Sequence, residues 1–158
     1  MRRSDREVKD LQELENILQT CHAVHIGAQD GEGMFVVPMN YGYRLEGERL
    51  TLYIHSAPEG RKVSVFRAGG NIAFEMDCGH ALRTADTACA HSYTYRSIMG
   101  SGSIRELVDR GEKREALKAI MEHMTGKREW DIPDGALDHT AVFALIVECW
   151  TGKSNQMG

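Results

Sequence analysis

Apolar residues recur at steps of three and four near the start of the chain. Val8, Leu11, Leu14, Ile17, Leu18 and Cys21 fall on one helical face, so the spacing predicts an amphipathic helix over residues 5–21. From residue 23 the period changes. Ala23–Ala28 and Met34–Met39 read as strands, and Gln29-Asp30-Gly31-Glu32-Gly33 between them is turn chemistry. Tyr41–Leu45 continues or follows the second strand, and Glu46-Gly47-Glu48 turns the chain again. Arg49–His55 then alternates, with Leu50, Leu52 and Ile54 on one face. Short strands with tight turns predict an antiparallel meander.

Ser56-Ala57-Pro58-Glu59-Gly60 ends that run. Arg61–Arg67 predicts a short helix with Val63, Phe66 and Val65 inward, closed by Gly69-Gly70. Asn71–Met76 reads as a strand. Asp77–Ser92 has no clear period and reads as a long loop or irregular strand edge, a kind of segment that often carries function. Tyr93–Ile104 predicts a strand bent near Gly100 and Gly102. Asp109–Met124 predicts a helix, capped by Asp109 with Glu112 at the third position, and striped by Leu117, Ile120, Met121 and Met124. Ala141–Thr151 closes the pattern as an apolar strand. Six or so strands with two main helices outside give a mainly β, antiparallel small barrel. With no repeat or linker in sight, residues 1–158 read as one domain, with the barrel over about 23–151 and an inserted helix over about 109–124.

Composition narrows the function classes. The chain has 158 residues, 42% hydrophobic and 27% charged, enough for one domain with a real core. A net charge of −4 argues against a general nucleic-acid or membrane binder. The longest apolar run, Ala141–Val147, is too short to span a bilayer. The opening Met1-Arg2-Arg3-Ser4-Asp5-Arg6-Glu7 lacks the apolar stretch of a signal peptide. A cytoplasmic protein is expected, with Cys21, Cys78, Cys89 and Cys149 as thiols.

Three segments suggest chemistry. In His55-Ser56-Ala57-Pro58-Glu59-Gly60-Arg61-Lys62 a strand ends and a helix opens on two cations. Cations oppose the helix dipole there, and a bound anion would offset the conflict; the alternative is a solvated surface pair. Arg and Lys together suit a phosphate. In Val36-Val37-Pro38-Met39-Asn40-Tyr41-Gly42-Tyr43 a proline sits inside an apolar strand, which belongs at an edge or bulge. Asn40 there can read the imide edge of a heterocycle or simply occupy a turn. In Tyr95–Ile104, Gly100 and Gly102 allow a close backbone approach or a bulge. Gly152-Lys153-Ser154 lacks the first glycine of a P-loop, and no nucleophile elbow occurs. Cys78-Gly79-His80 and Cys89-Ala90-His91 do not follow the usual zinc spacing, so no metal site is expected.

Val36-Val37-Pro38-Met39-Asn40-Tyr41-Gly42-Tyr43, His55-Ser56-Ala57-x-x-Gly60-Arg61-Lys62 and Tyr95-x-Ser97-Ile98-x-Gly100-x-Gly102, in this order, resemble the pyridoxamine-phosphate-oxidase-like flavoproteins, and within them the nitroimidazole-resistance branch. Phe74-Glu75-Met76-Asp77 fits that branch as well. The resemblance spans nearly the whole chain. It implies a Greek-key-like split β-barrel that binds FMN as a homodimer sharing its sites. Val37, Pro38, Met39 and Asn40 would line the isoalloxazine ring, and His55, Ser56 and Ala57 the ring and ribityl chain. Arg61 and Lys62 would hold the phosphate. Residues near Cys89–Ser97, Ser97 among them, would approach from the ring's other side or from the second subunit. The implied activity is an FMN-dependent oxidoreductase that takes electrons from a donor and reduces a small molecule such as a nitroaromatic. His55 is then the candidate catalytic proton donor or substrate contact. A non-catalytic flavin carrier and a haem protein on the same barrel are the alternatives. Nothing convincing marks a pyridoxal phosphate substrate site.

Overall fold

The computed structural model describes residues 3–155. Asp10 caps the first helix by accepting from the Glu13 N–H at 3.0 Å, so α1 spans Leu11–Thr20. The expected helix over 5–21 is therefore shorter. Glu7–Val8 instead forms a two-residue strand, β1, because Val8 packs beside Gly152 at the end of the chain.

The strands alternate as expected. β2 (Val24–Asp30) and β3 (Gly33–Met39) form a hairpin closed by Gly31-Glu32, and β4 (Tyr41–Glu46) pairs with β5 (Arg49–Ser56) around Gly47-Glu48. Gly47 has φ 60°, a conformation glycine adopts without strain. α2 (Arg61–Ala68) buries Val63 and Phe66. β6 (Asn71–Arg83), β7 (Ser92–Glu106) and β8 (Ala141–Ser154) are long, and α3 (Arg110–Thr125) and the short α4 (Asp134–Asp138) intervene before β8. Asp109 caps α3 by accepting from the Glu112 N–H at 2.9 Å, as its spacing predicts.

Among the described residues the sheet runs β3-β2-β6-β7-β8-β5-β4, antiparallel throughout, with β1 added to β8. β8 inserts between β5 and β7, which gives the Greek-key-like order. Only Asn40 separates β3 from β4, yet these strands are the two edges. One residue spans under about 4 Å, so the sheet must curl until its edges meet at Asn40. No ladder joins them among the described residues, and the barrel is split rather than closed.

Two expectations change. Residues 77–92 are not one loop: β6 continues to Arg83 and β7 restarts at Ser92, with a register shift between Cys78 and Ala81. This arm is largely exposed, so no burial period marks it, and backbone pairing alone gives it order. The α3 stripe is also displaced. Ala116 and Ile120 are its buried residues, because the helix lies directly on the backbone of Gly42. The bend near Gly100 and Gly102 is present as a register shift between Ser101 and Gly102.

The core fills the curl. Tyr41 is fully buried and its hydroxyl donates to the Leu18 carbonyl at 2.7 Å, tying α1 to the sheet. A Cβ at Gly42 would lie 2.4 Å from Ala119 C and Ile120 N, backbone atoms that cannot step aside. A Cβ at Gly152 meets the movable end of the Leu14 side chain instead. Gly42→Ala should therefore cost about 3 kcal/mol of stability, and Gly152→Ala distinctly less, as read from urea unfolding midpoints.

Candidate functional site

The chain leaves β5 at Ser56 and enters α2 through Gly60, whose φ of 126° a side chain would resist. No side chain caps this helix. The N–H groups of Arg61, Lys62 and Val63 precede its first internal bond, from Ser64 N–H to the Gly60 carbonyl at 3.1 Å. They face outward with the positive end of the helix dipole. Around this turn lies an open cleft of about 520 Å³, within the usual size of a small-molecule site. Phe35 and Val37 from the inner face of β3 form its apolar wall. His55, Ser56 and Ala57 form the opposite side, and Glu59 to Lys62 the end.

Its electrostatics differ from the sequence expectation. Arg61 is not a free cation. Its Nε and Nη2 donate to the two carboxylate oxygens of Asp30, each at 2.8 Å, and Nη2 also donates to the Gly33 carbonyl at 3.2 Å. The guanidinium lies over the Phe35 ring, 4.6 Å from its centroid. Hydrogen bonding to Arg61 holds the Asp30 carboxyl below the usual range. Lys62 has no acidic partner among the described residues and is the cation open to a ligand. His55 feels both the protein and that charge. Partial desolvation, then the Lys62 ammonium, lowers its pKa, so the imidazole is neutral at pH 7. A neutral ring can still donate one N–H and accept at the other nitrogen.

The structure brings Val37, His55, Ser56, Ala57, Arg61 and Lys62 together at one cleft. Four other expected residues stand outside its wall. Met39 shares the inner face of β3 but lies deeper, buried in the core. Pro38 points to the outer face of the edge strand, where it interrupts no ladder. Asn40 donates Nδ2–H to the His22 carbonyl at 2.9 Å. Ser97 lies on β7, three strands from β3, between Asp77 and Lys153. Phe35, Glu59 and Asp30 were not expected. The alternation of Phe35 with Val37 could have signalled the first, but nothing local pairs Asp30 with a residue 31 positions away.

A larger cavity of about 780 Å³ lies between α3 and the β4–β5 hairpin. Its Arg105 and Arg128 are engaged by Glu112 and by Glu115 and Glu122, so they present no free charge to a ligand. Among the described residues no three His, Cys, Asp or Glu side chains gather where a metal ion could sit. No described helix is long and apolar enough to cross a membrane.

Residues 10–154 match the family model of pyridoxamine 5'-phosphate oxidase. A candidate 5-nitroimidazole antibiotic resistance protein from Bacteroides thetaiotaomicron is 33% identical, covering 95% of this chain and 90% of its own, with a TM-score of 0.79. An FAD and heme binding protein from Mycobacterium smegmatis (18% identity, 96% and 74% coverage, TM-score 0.83) has the same fold. So does the flavocytochrome Anf3 from Azotobacter vinelandii (21%, 99% and 72%, 0.81). These two likenesses speak to fold alone. No protein of curated function matches the sequence. With nearly its full length matched, and with the split barrel and its turn-lined cleft in place, the chain belongs to the pyridoxamine 5'-phosphate oxidase family.

Proposed function

We propose that the protein is a flavin-dependent oxidoreductase that reduces a small oxidised molecule, with a nitroaromatic such as a nitroimidazole as the substrate class. The cleft at the N-terminus of α2 carries this reading. It joins an unpaired ammonium, uncapped backbone N–H groups and an apolar wall, which suit the phosphate and the ring of an FMN unit. A bound flavin supplies the electron transfer, and the protein supplies position and electrostatics. Lys62 and the first turn of α2 bind the phosphate. Phe35 and Val37 exclude water from one side of the ring, and Ser56 offers a hydroxyl beside it. His55, neutral at pH 7, orients the substrate or the ring edge by hydrogen bonding rather than as a charged acid. The relative described as a nitroimidazole resistance protein supports the substrate class.

The site is shared by two copies in this reading. On the outer sheet face, Val36, Gly27 and Ala73 form one cross-strand row, and Pro38, His25, Glu75 and Met99 the next. Met34, Val36 and Met99 there are 83%, 68% and 51% exposed. Small and apolar residues flank the His25–Glu75 pair across these strands, and a face with its central polar groups already paired to each other suits a second flat sheet. The face is continuous with the cleft through β3 and carries Ser97, which reaches a flavin only from a second subunit. The four cysteines are unpaired, which suits a cytoplasmic setting.

Lys62→Ala should weaken flavin binding at least tenfold by calorimetric titration, since a charge-assisted contact contributes about 1.5 kcal/mol or more; unchanged affinity would place the phosphate elsewhere. In the flavin-free protein the same change removes a cation from beside His55. An NMR titration should then show the His55 pKa rising toward its ordinary value near about 6.5. Val36→Glu should convert a dimer to monomers in sedimentation and lower flavin occupancy with it. A monomeric parent protein that holds flavin normally would contradict the shared site.

A further inference from the structure

Away from the cleft, strand alternation puts Tyr93, Tyr95, Ser97 and Met99 on the outer face of β7. Lys153 of β8 stands in register with Ser97 on one side and with Glu7 of β1 on the other. A carboxylate directly across a strand pair is a ready partner for a lysine. Lys153 makes no ion pair with Glu7, whose nearest cation is Lys9 at 3.7 Å. Its Nζ lies instead over the Tyr95 ring, 5.7 Å from the centroid. Arg6 reaches the same phenol. Burial would raise the pKa of the Tyr95 hydroxyl, but the Lys153 and Arg6 cations beside it reverse the direction and lower it.

Two like charges gathered at one oxygen repel each other, and the neighbouring acids do not relieve them. Asp5 is held by Arg3 at 2.6 Å. Asp77, in register with Ser97, lies 2.8 Å from His80 Nε2. Among the described residues, neither Arg6 nor Lys153 has an acidic partner. Arg6, Tyr95, Ser97 and Lys153 are each half-buried, so water reaches them only in part. An ammonium and a guanidinium can only donate hydrogen bonds, and the two hydroxyls can donate as well. A neutral ligand would leave both charges uncompensated, whereas an oxyanion accepts from every member of the set. Tyr93 and Met99 flank the cluster along the same strand face, 49% and 51% exposed, and offer apolar surface to the body of a ligand.

We propose that Arg6, Lys153, Tyr95 and Ser97 form a binding site for a small aromatic acid, its carboxylate held by the two cations and the two hydroxyls and its ring lying along β7 beside Met99. Ser97, assigned above to the flavin of a second copy, stands in the same row. The acid site itself needs no flavin and is tested without it.

The test is an NMR titration of the flavin-free full chain carrying 13C-labelled tyrosine, with the Tyr95 ring signal identified through Tyr95→Phe. Benzoate should move that signal saturably. Benzamide, which has the same ring and no charge, should leave it in place at the same concentrations. Changing Lys153→Gln together with Arg6→Gln should weaken benzoate binding at least tenfold, since two charge-assisted contacts are lost. Both side chains lie outside the core, and an unchanged thermal unfolding midpoint shows that the double variant folds. Added salt should weaken benzoate in the parent protein. A Tyr95 signal that benzoate leaves in place, that benzamide moves equally, or that still responds undiminished in the double variant overturns the site.

Discussion

Asp30 grips Arg61 with both carboxylate oxygens, and that grip ties the N-terminus of α2 to the tip of the β2–β3 hairpin. The pair is partly exposed, so it contributes little to global stability. Its consequence is geometric. It stacks the guanidinium over Phe35, walls one cavity from the next, and leaves Lys62 as the unpaired cation of the turn. Burial lowers the pKa of His55, and the Lys62 cation lowers it further.

The frame that permits this arrangement is the curl of the sheet. Asn40 joins two strands that lie at opposite edges, so a ladder of strands becomes a split barrel with a mouth beside β3. Phe35 and Val37 reach that mouth from the same strand face that sends Met39 into the core. The opposite face of β3 carries Met34, Val36 and Pro38 outward, onto the apolar surface assigned above to a second copy. One edge strand thus serves cleft and core, and would carry the proposed interface.

What was legible in the sequence was local. The Asp109 cap, the Gly47 turn, the bend near Gly102 and the break through Gly60 all show within a few residues. The resemblance added the cleft, because His55 to Lys62 act as one contiguous turn. What escaped depends on long-range pairing. The hold of Asp30 on Arg61 spans two hairpins, and the continuation of β6 and β7 beyond the barrel buries nothing that would mark it by period. Ser97, which the resemblance brings in from the ring's other side or from a second subunit, lies three strands from β3.

The most direct measurement is the visible absorption spectrum of the purified full-length protein, before and after incubation with excess flavin and gel filtration. A retained flavin spectrum, yellow and near one equivalent per chain, is the predicted result. A protein that stays colourless with both FMN and FAD, or that shows a haem band in their place, would contradict the reading.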